Sequence, residues 1–193
     1  LPVATLDADH GWLEACPTMN IFLIGYRGSG KTTVARALAR QIGWEWLDAD
    51  AELERRAGRS IQQIFAESGE GAFRDWESAV VADLAKLDQH VIALGGGAVM
   101  RDQNRQALTG RGKVVWLKAS PETLHARIAA DPTTEARRPN LTGQGGLAEI
   151  RQLLAQREPI YQACADLVLD AEAHAPDNIA AQISAAFHLK AAP

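Results

Sequence analysis

Residues 25–32 read Gly-Tyr-Arg-Gly-Ser-Gly-Lys-Thr, a glycine-rich run that closes on one cation and one hydroxyl. The spacing is that of GxxxxGK[ST], with an apolar stretch before it and a helical one behind it. Glycines at these places let the backbone curl until successive N–H groups face inward toward an anion. The start of a helix adds the positive end of its dipole to the same point. Lys31 can reach the outer phosphates of a nucleoside triphosphate, and the Thr32 hydroxyl can ligate Mg²⁺. A chance glycine turn would not bring strand, Lys, Thr and helix into register together. The motif therefore points to a bound nucleotide and leaves open what receives a phosphate.

Three further features bear on the acceptor. Residues 47–50 read Leu-Asp-Ala-Asp at the end of an apolar segment. Alternation along an extended chain puts Asp48 and Asp50 on one side, at the sheet edge where doubly wound folds bind ligands. Two carboxylates there can divide the labour, one toward Mg²⁺ and the other toward an acceptor hydroxyl. The plainer alternative is that Asp50 caps the helix that follows. Arg74 and Glu77 stand three residues apart on a helical stretch. Arg74 could grip a carboxylate with two parallel hydrogen bonds, yet the spacing alone favours an ordinary surface pair with Glu77. Gly95, Gly96 and Gly97 follow directly on an apolar run and would let the backbone come close to a ligand. A structural turn accounts for them equally well.

Short apolar runs alternate with amphipathic stretches, which predicts an α/β domain built on a parallel sheet. Strands are expected at residues 20–24, 44–47, 91–94, 113–117 and 166–169, with the glycine-rich run leaving the first of them. Helices are expected at 32–41, 51–57, 60–67, 70–87, 121–129, 147–163 and 176–189, Pro121 being well placed for a helix start. Residues 131–146 hold Pro132, Pro139, Gly143, Gly145 and Gly146 among polar neighbours, which predicts a mobile loop, as a lid, a binding element or a disordered insert would be. One domain over residues 19–190 follows, with 1–18 an N-terminal extension expected to be poorly ordered and Met19 marking where the domain begins.

Composition narrows the class. A chain of 193 residues with 47% hydrophobic and 23% charged residues is ordinary for one globular domain. A net charge of −4 argues against a general nucleic-acid binder, while a small anionic substrate needs only a local basic pocket. Cys16 and Cys164 form no close pair, and the five histidines show no zinc spacing. No apolar run reaches the ~20 residues that cross a bilayer. The first 18 residues carry Asp7, Asp9 and Glu14 and lack the layout of a secretory signal. A cytoplasmic monomer that meets neither membrane nor nucleic acid is the expectation.

Taken together these residues resemble the shikimate kinase family. The first strand and glycine-rich loop, Asp48-x-Asp50, the turn Gly58-Arg59-Ser60-Ile61, Phe73-Arg74, the triple glycine, Arg138-Pro139 and Arg157-x-Pro159-x-Tyr161 occur in family order. The resemblance runs from about residue 20 to 189. It implies a P-loop NTPase fold, a five-stranded parallel sheet flanked by helices, and transfer of the γ-phosphate of ATP to the 3-hydroxyl of shikimate with Mg²⁺. By the same resemblance, Gly28, Ser29, Gly30, Lys31, Thr32 and Thr33 would hold the nucleotide, and Thr32 and Asp48 the Mg²⁺. Arg74 and Arg157 would bind the shikimate carboxylate, with Asp50 and the Gly95–Gly97 backbone on its hydroxyls. Asp50 would also be the base or orienter of the attacking hydroxyl. Arg138 would come down with the lid onto the phosphates, and Lys31, Asp50 and Arg138 would carry catalysis.

Two places depart from the family. Arg138-Pro139-Asn140-Leu141 stands where many relatives have Arg-Pro-Leu-Leu, and the lid is slightly longer, which leaves open whether Arg137 shares the work of Arg138. Beyond the last strand, residues 170–174 read Asp-Ala-Glu-Ala-His, without the Arg that some relatives set against adenine. The alternatives are another small-molecule kinase of the same fold, for gluconate or a nucleoside monophosphate, and a non-catalytic nucleotide switch. Acceptor-dependent ADP release separates all three.

Overall fold

The computed structural model describes residues 19–131 and 146–190. Five strands, all parallel, form one sheet: β1 (Asn20–Ile24), β2 (Glu45–Asp48), β3 (His90–Ala93), β4 (Gly112–Lys118) and β5 (Leu167–Asp170), in the order β2-β3-β1-β4-β5. All five residues of β1 are buried, as an interior parallel strand covered on both faces requires. The chain leaves β1 toward one flank of the sheet and β4 toward the other. The crevice of this fold therefore opens at the carboxyl ends of the central strands.

Around the sheet lie α1 (Lys31–Ile42), α2 (Ala49–Ala57), α3 (Ile61–Leu84), α4 (Asp102–Leu108), α5 (Pro121–Ala130), α6 (Gly146–Cys164) and α7 (Pro176–Ala186). Local chemistry sets several of their ends. Ser60 and Gln63 form a reciprocal capping box at the start of α3, and Ser120 caps α5, where Pro121 takes the first helical position. The two helices expected on either side of residue 69 are both present within α3, joined at a kink where Gly69 adopts φ 77° and ψ 178°. Phe73, just beyond the break, is fully buried and packs on Phe65 with ring centroids 4.7 Å apart. That anchors the turn of helix which carries Arg74.

Two expectations are corrected. Asp50 is not on the second strand, because β2 ends at Asp48 and helix α2 begins at Ala49. The cap is Asp48, whose carboxylate accepts from the backbone N–H of Asp50 and Ala51. The sequence also left unassigned the 3₁₀ turn Ala98–Met100 and helix α4. Only Asn104 and Leu108 of α4 are buried, too little for an apolar period to register. Tertiary contact supplies what local pattern lacks, with Asn104 Nδ2 donating to Ala98 O at 2.8 Å.

Candidate active site

The loop after β1 is shaped by contact with its neighbours as well as by its ligand chemistry. A Cβ on Gly25 would stand 2.6 Å from the carbonyl oxygen of Leu117, at the end of β4, so only glycine lets the loop leave the sheet there. Lys31 opens α1, and its ammonium donates to Gly25 O at 2.9 Å and Tyr26 O at 2.8 Å. Its charge is thereby held inside the curl of the loop. One residue on, Thr32 Oγ1 donates to Asp48 Oδ2 at 2.7 Å. The same carboxylate thus caps α2 with one oxygen and meets the loop with the other.

Between these groups lies a cavity of about 300 Å³. Its lining includes Gly28, Gly30, Lys31, Thr32 and Thr33 from the loop, Asp48 and Asp50 from β2 and α2, and Leu94, Gly95 and Gly96 after β3. Ser29, another of the expected nucleotide contacts, is buried within the loop. The carboxyl ends of β1, β2 and β3 have converged, as the strand order dictates.

Arg74 and Arg157 both meet the glycine turn, at Gly97 and Gly96. Arg74 is not the surface pair that its spacing suggested, because packing of α3 leaves its side chain only 12% exposed. Its guanidinium donates to Glu77 Oε2 at 2.7 Å and to Glu70 Oε1 at 3.1 Å, Glu77 being itself buried. Nη1 lies 2.5 Å from where a Cβ would stand on Gly97, so glycine makes room for this arginine. Arg157, on α6 and buried, donates to Gly96 O at 3.3 Å and lies over the Tyr26 ring, 5.3 Å from its centroid. Tyr161, one helical turn on, donates its hydroxyl to the same carbonyl. The two arginines, 83 positions apart by subtraction of their numbers, meet at adjacent glycines.

Several residues of the site escaped the sequence reading. Tyr26 and Arg27 occupy variable positions inside the loop motif, so the motif says nothing of them. Tyr26 is buried, and that burial pushes its phenol up against the opposing pull of Arg27 and Arg157. Arg127 of α5 and Asp131 line the cavity. Arg127 donates to Ala171 O at 2.8 Å, so an arginine from α5 reaches the segment after β5 where the sequence offers none. A cation placed by a helix elsewhere in the chain leaves no local signal. Arg137 and Arg138, with nearly all of the lid expected at 131–146, lie outside the described residues, as does the expected extension at 1–18.

The oxygen donors of Thr32 and Asp48 suit a hard cation such as Mg²⁺. Thr32 would bind such an ion directly and Asp48 through water, the two side chains being held together by their 2.7 Å hydrogen bond. Few protein oxygens, supplemented by phosphate oxygens and water, are the usual complement for that ion.

A family model described as shikimate kinase matches residues 27–188. A shikimate kinase from Rhodopirellula baltica is 43% identical over 174 residues, which covers 90% of this chain and 90% of that protein. One from Symbiobacterium thermophilum is 44% identical over 165 residues, covering 86% of this chain and 94% of the relative. Among solved structures, the shikimate kinase of Acinetobacter baumannii in complex with shikimate superposes with a TM-score of 0.82 at 36% identity. It covers 92% of this chain and 98% of its own.

Proposed function

The chain belongs to the shikimate kinase family, and from that membership we propose that it transfers the γ-phosphate of ATP to the 3-hydroxyl of shikimate. The observation that carries this reading is the meeting of two kinds of group at one sheet edge. The phosphate loop with Lys31, Thr32 and Asp48 shares a cavity with Gly95 and Gly96, and the guanidinium groups of Arg157 and Arg74 meet the same turn at Gly96 and Gly97.

Gly28, Ser29, Gly30 and Thr33, with the backbone of α1's first turn, hold the phosphates. Lys31 exchanges its loop carbonyls for phosphate oxygens and meets the charge that grows on the transferring group. Arg74 and Arg157 bind the acceptor's carboxylate, while Asp50 and the backbone at Gly95–Gly97 hold its hydroxyls. Asp50 also accepts the proton of the attacking 3-hydroxyl. Thr32 and Asp48 hold Mg²⁺, which when bound neutralises charge between the phosphates. Arg127 contributes to the nucleotide side of the cavity, a role supported by its place in the lining. Arg138 closes on the phosphates, an assignment that rests on the family motif alone.

No helix among the described residues is long and apolar enough to cross a membrane. The net charge of −4 speaks against a nucleic-acid partner, and a cytoplasmic monomer acting on small molecules is the proposal. The test is ADP release measured with and without shikimate, with gluconate, AMP and CMP in parallel. Release that depends on shikimate alone is expected, and Lys31→Ala should lower it by ~10²-fold or more. Release with another acceptor, or with none, overturns the reading.

A further inference from the structure

Glu149 stands in the first turn of α6 with its side chain 1% exposed, and its Oε1 meets Arg27 Nη2 at 3.5 Å. A carboxylate taken out of water is costly unless a partner compensates it. Arg27 belongs to the phosphate loop, 122 positions earlier, and keeps 18% of its side chain exposed where it lines the cavity. An apolar pair of similar volume would hold α6 against the loop as well or better, so packing alone does not account for a charged pair here.

What the pair does is orient. The backbone nitrogen of Arg27 lies 3.2 Å from where a Cβ would stand on Gly96, the residue whose carbonyl accepts from Arg157. Both guanidinium carbons flank one ring, 6.0 Å for Arg27 and 5.3 Å for Arg157 from the Tyr26 centroid. Two cations at one ring repel each other, and a buried carboxylate on the first relieves that repulsion and fixes its direction. We propose that Glu149 is a positioning residue acting through Arg27. It holds that guanidinium at the cavity wall, by the ring it shares with Arg157, as a contact for the acceptor, and it leaves Arg157 as the cation that meets the acceptor's carboxylate. The inference rests on the shikimate-phosphorylating reading above. A carboxylate in a first helical turn also gains from the helix dipole, but that gain concerns stability and cannot favour one substrate over the other.

Steady-state kinetics of the full chain tests this with Glu149→Gln, Glu149→Asp, Arg27→Met and the double variant Arg27→Met/Glu149→Gln. Glu149→Gln should raise the KM for shikimate ~10-fold while the KM for ATP changes by less than ~2-fold. Glu149→Asp, which keeps the charge, should recover part of the loss. The double variant should be no worse than Arg27→Met alone, because two residues acting as a unit are not additive. A lowered Tm with both KM values unmoved, or rising together, overturns the proposal. If Glu149→Gln fails to fold, Arg27→Met decides, and an unchanged shikimate KM overturns it. ADP release by the unmodified chain reports separately, since its independence of shikimate would remove the functional reading and not merely this refinement.

Discussion

Thr32 donates its hydroxyl to Asp48 across 2.7 Å, tying the first turn of α1 to the residue that ends β2 and caps α2. One carboxylate thereby caps α2, tethers the first turn of α1 and lines the cavity. Asp50, one residue into α2, lines the same cavity, while its backbone N–H is bound to Asp48 at 3.0 Å.

That geometry separates the two aspartates experimentally. Asp48→Asn should raise the Mg²⁺ requirement with little change in stability, because an Asn oxygen can still cap α2. Asp50→Asn should suppress phosphoryl transfer while Mg·ATP still binds, its partner being the acceptor hydroxyl. Calorimetry of Mg·ATP binding to both variants decides. Equal loss of affinity in the two would show that their roles are not divided.

Arg157→Lys keeps a charge but loses the planar fork that bonds Gly96 O and stacks on Tyr26. The KM for shikimate should rise ~10-fold or more, with the KM for ATP much less affected. The methyl ester of shikimate, offered to the unmodified chain, should show a comparable loss. Equal effects on both substrates would count against a carboxylate clamp.

Gly97 has φ −109°, which any residue can adopt. Its requirement is for space alone, since a Cβ would meet Arg74 Nη1 at 2.5 Å. Gly97→Ala should therefore displace the Arg74 guanidinium and raise the KM for shikimate severalfold, with little change in Tm. A fall in Tm with normal kinetics would make this glycine a folding residue and no part of the acceptor site.

Glu52 accepts hydrogen bonds from Arg55 and Arg56, which hold its carboxyl down at about 2 against an ordinary 4.5. A depressed carboxyl pKa contributes stability that is complete above 4.5 and is lost as the pH falls toward 2. With Arg55 largely exposed, solvent screening reduces that contribution to ~1 kcal/mol, or a Tm change of ~2–4 °C in a chain of this size. Glu52→Gln should lower Tm by that amount at pH 7 and flatten the acid limb of the stability curve. Parallel curves for variant and parent between pH 5 and 2 would remove Glu52 from the acid response.

The amino-acid sequence by itself determined the phosphate loop and the alternation of strand and helix. Those signals are local: GxxxxGK[ST] fits within residues 25–32, and β1 is apolar from Ile21 to Ile24. It also brought Asp48, Asp50, Arg74, the triple glycine and Arg157 to notice, but it could not say what each touches. Arg74 and Glu77 have the same three-residue spacing whether they lie in water or against Gly97, and only the packing of α3 through its buried Phe73 decides. The sequence reading put Asp48 and Asp50 together at the strand end, with Asp50 as the alternative cap, whereas Asp48 is the cap; strand and cap differ by one residue of backbone conformation, which an Asp-x-Asp pattern does not encode. Arg27 with Glu149, and Gly96 with Arg157, join positions 122 and 61 residues apart. Such pairs exist because a parallel sheet brings the ends of β1 and β3 together and lays α6 across them. No local preference of the chain encodes that distance.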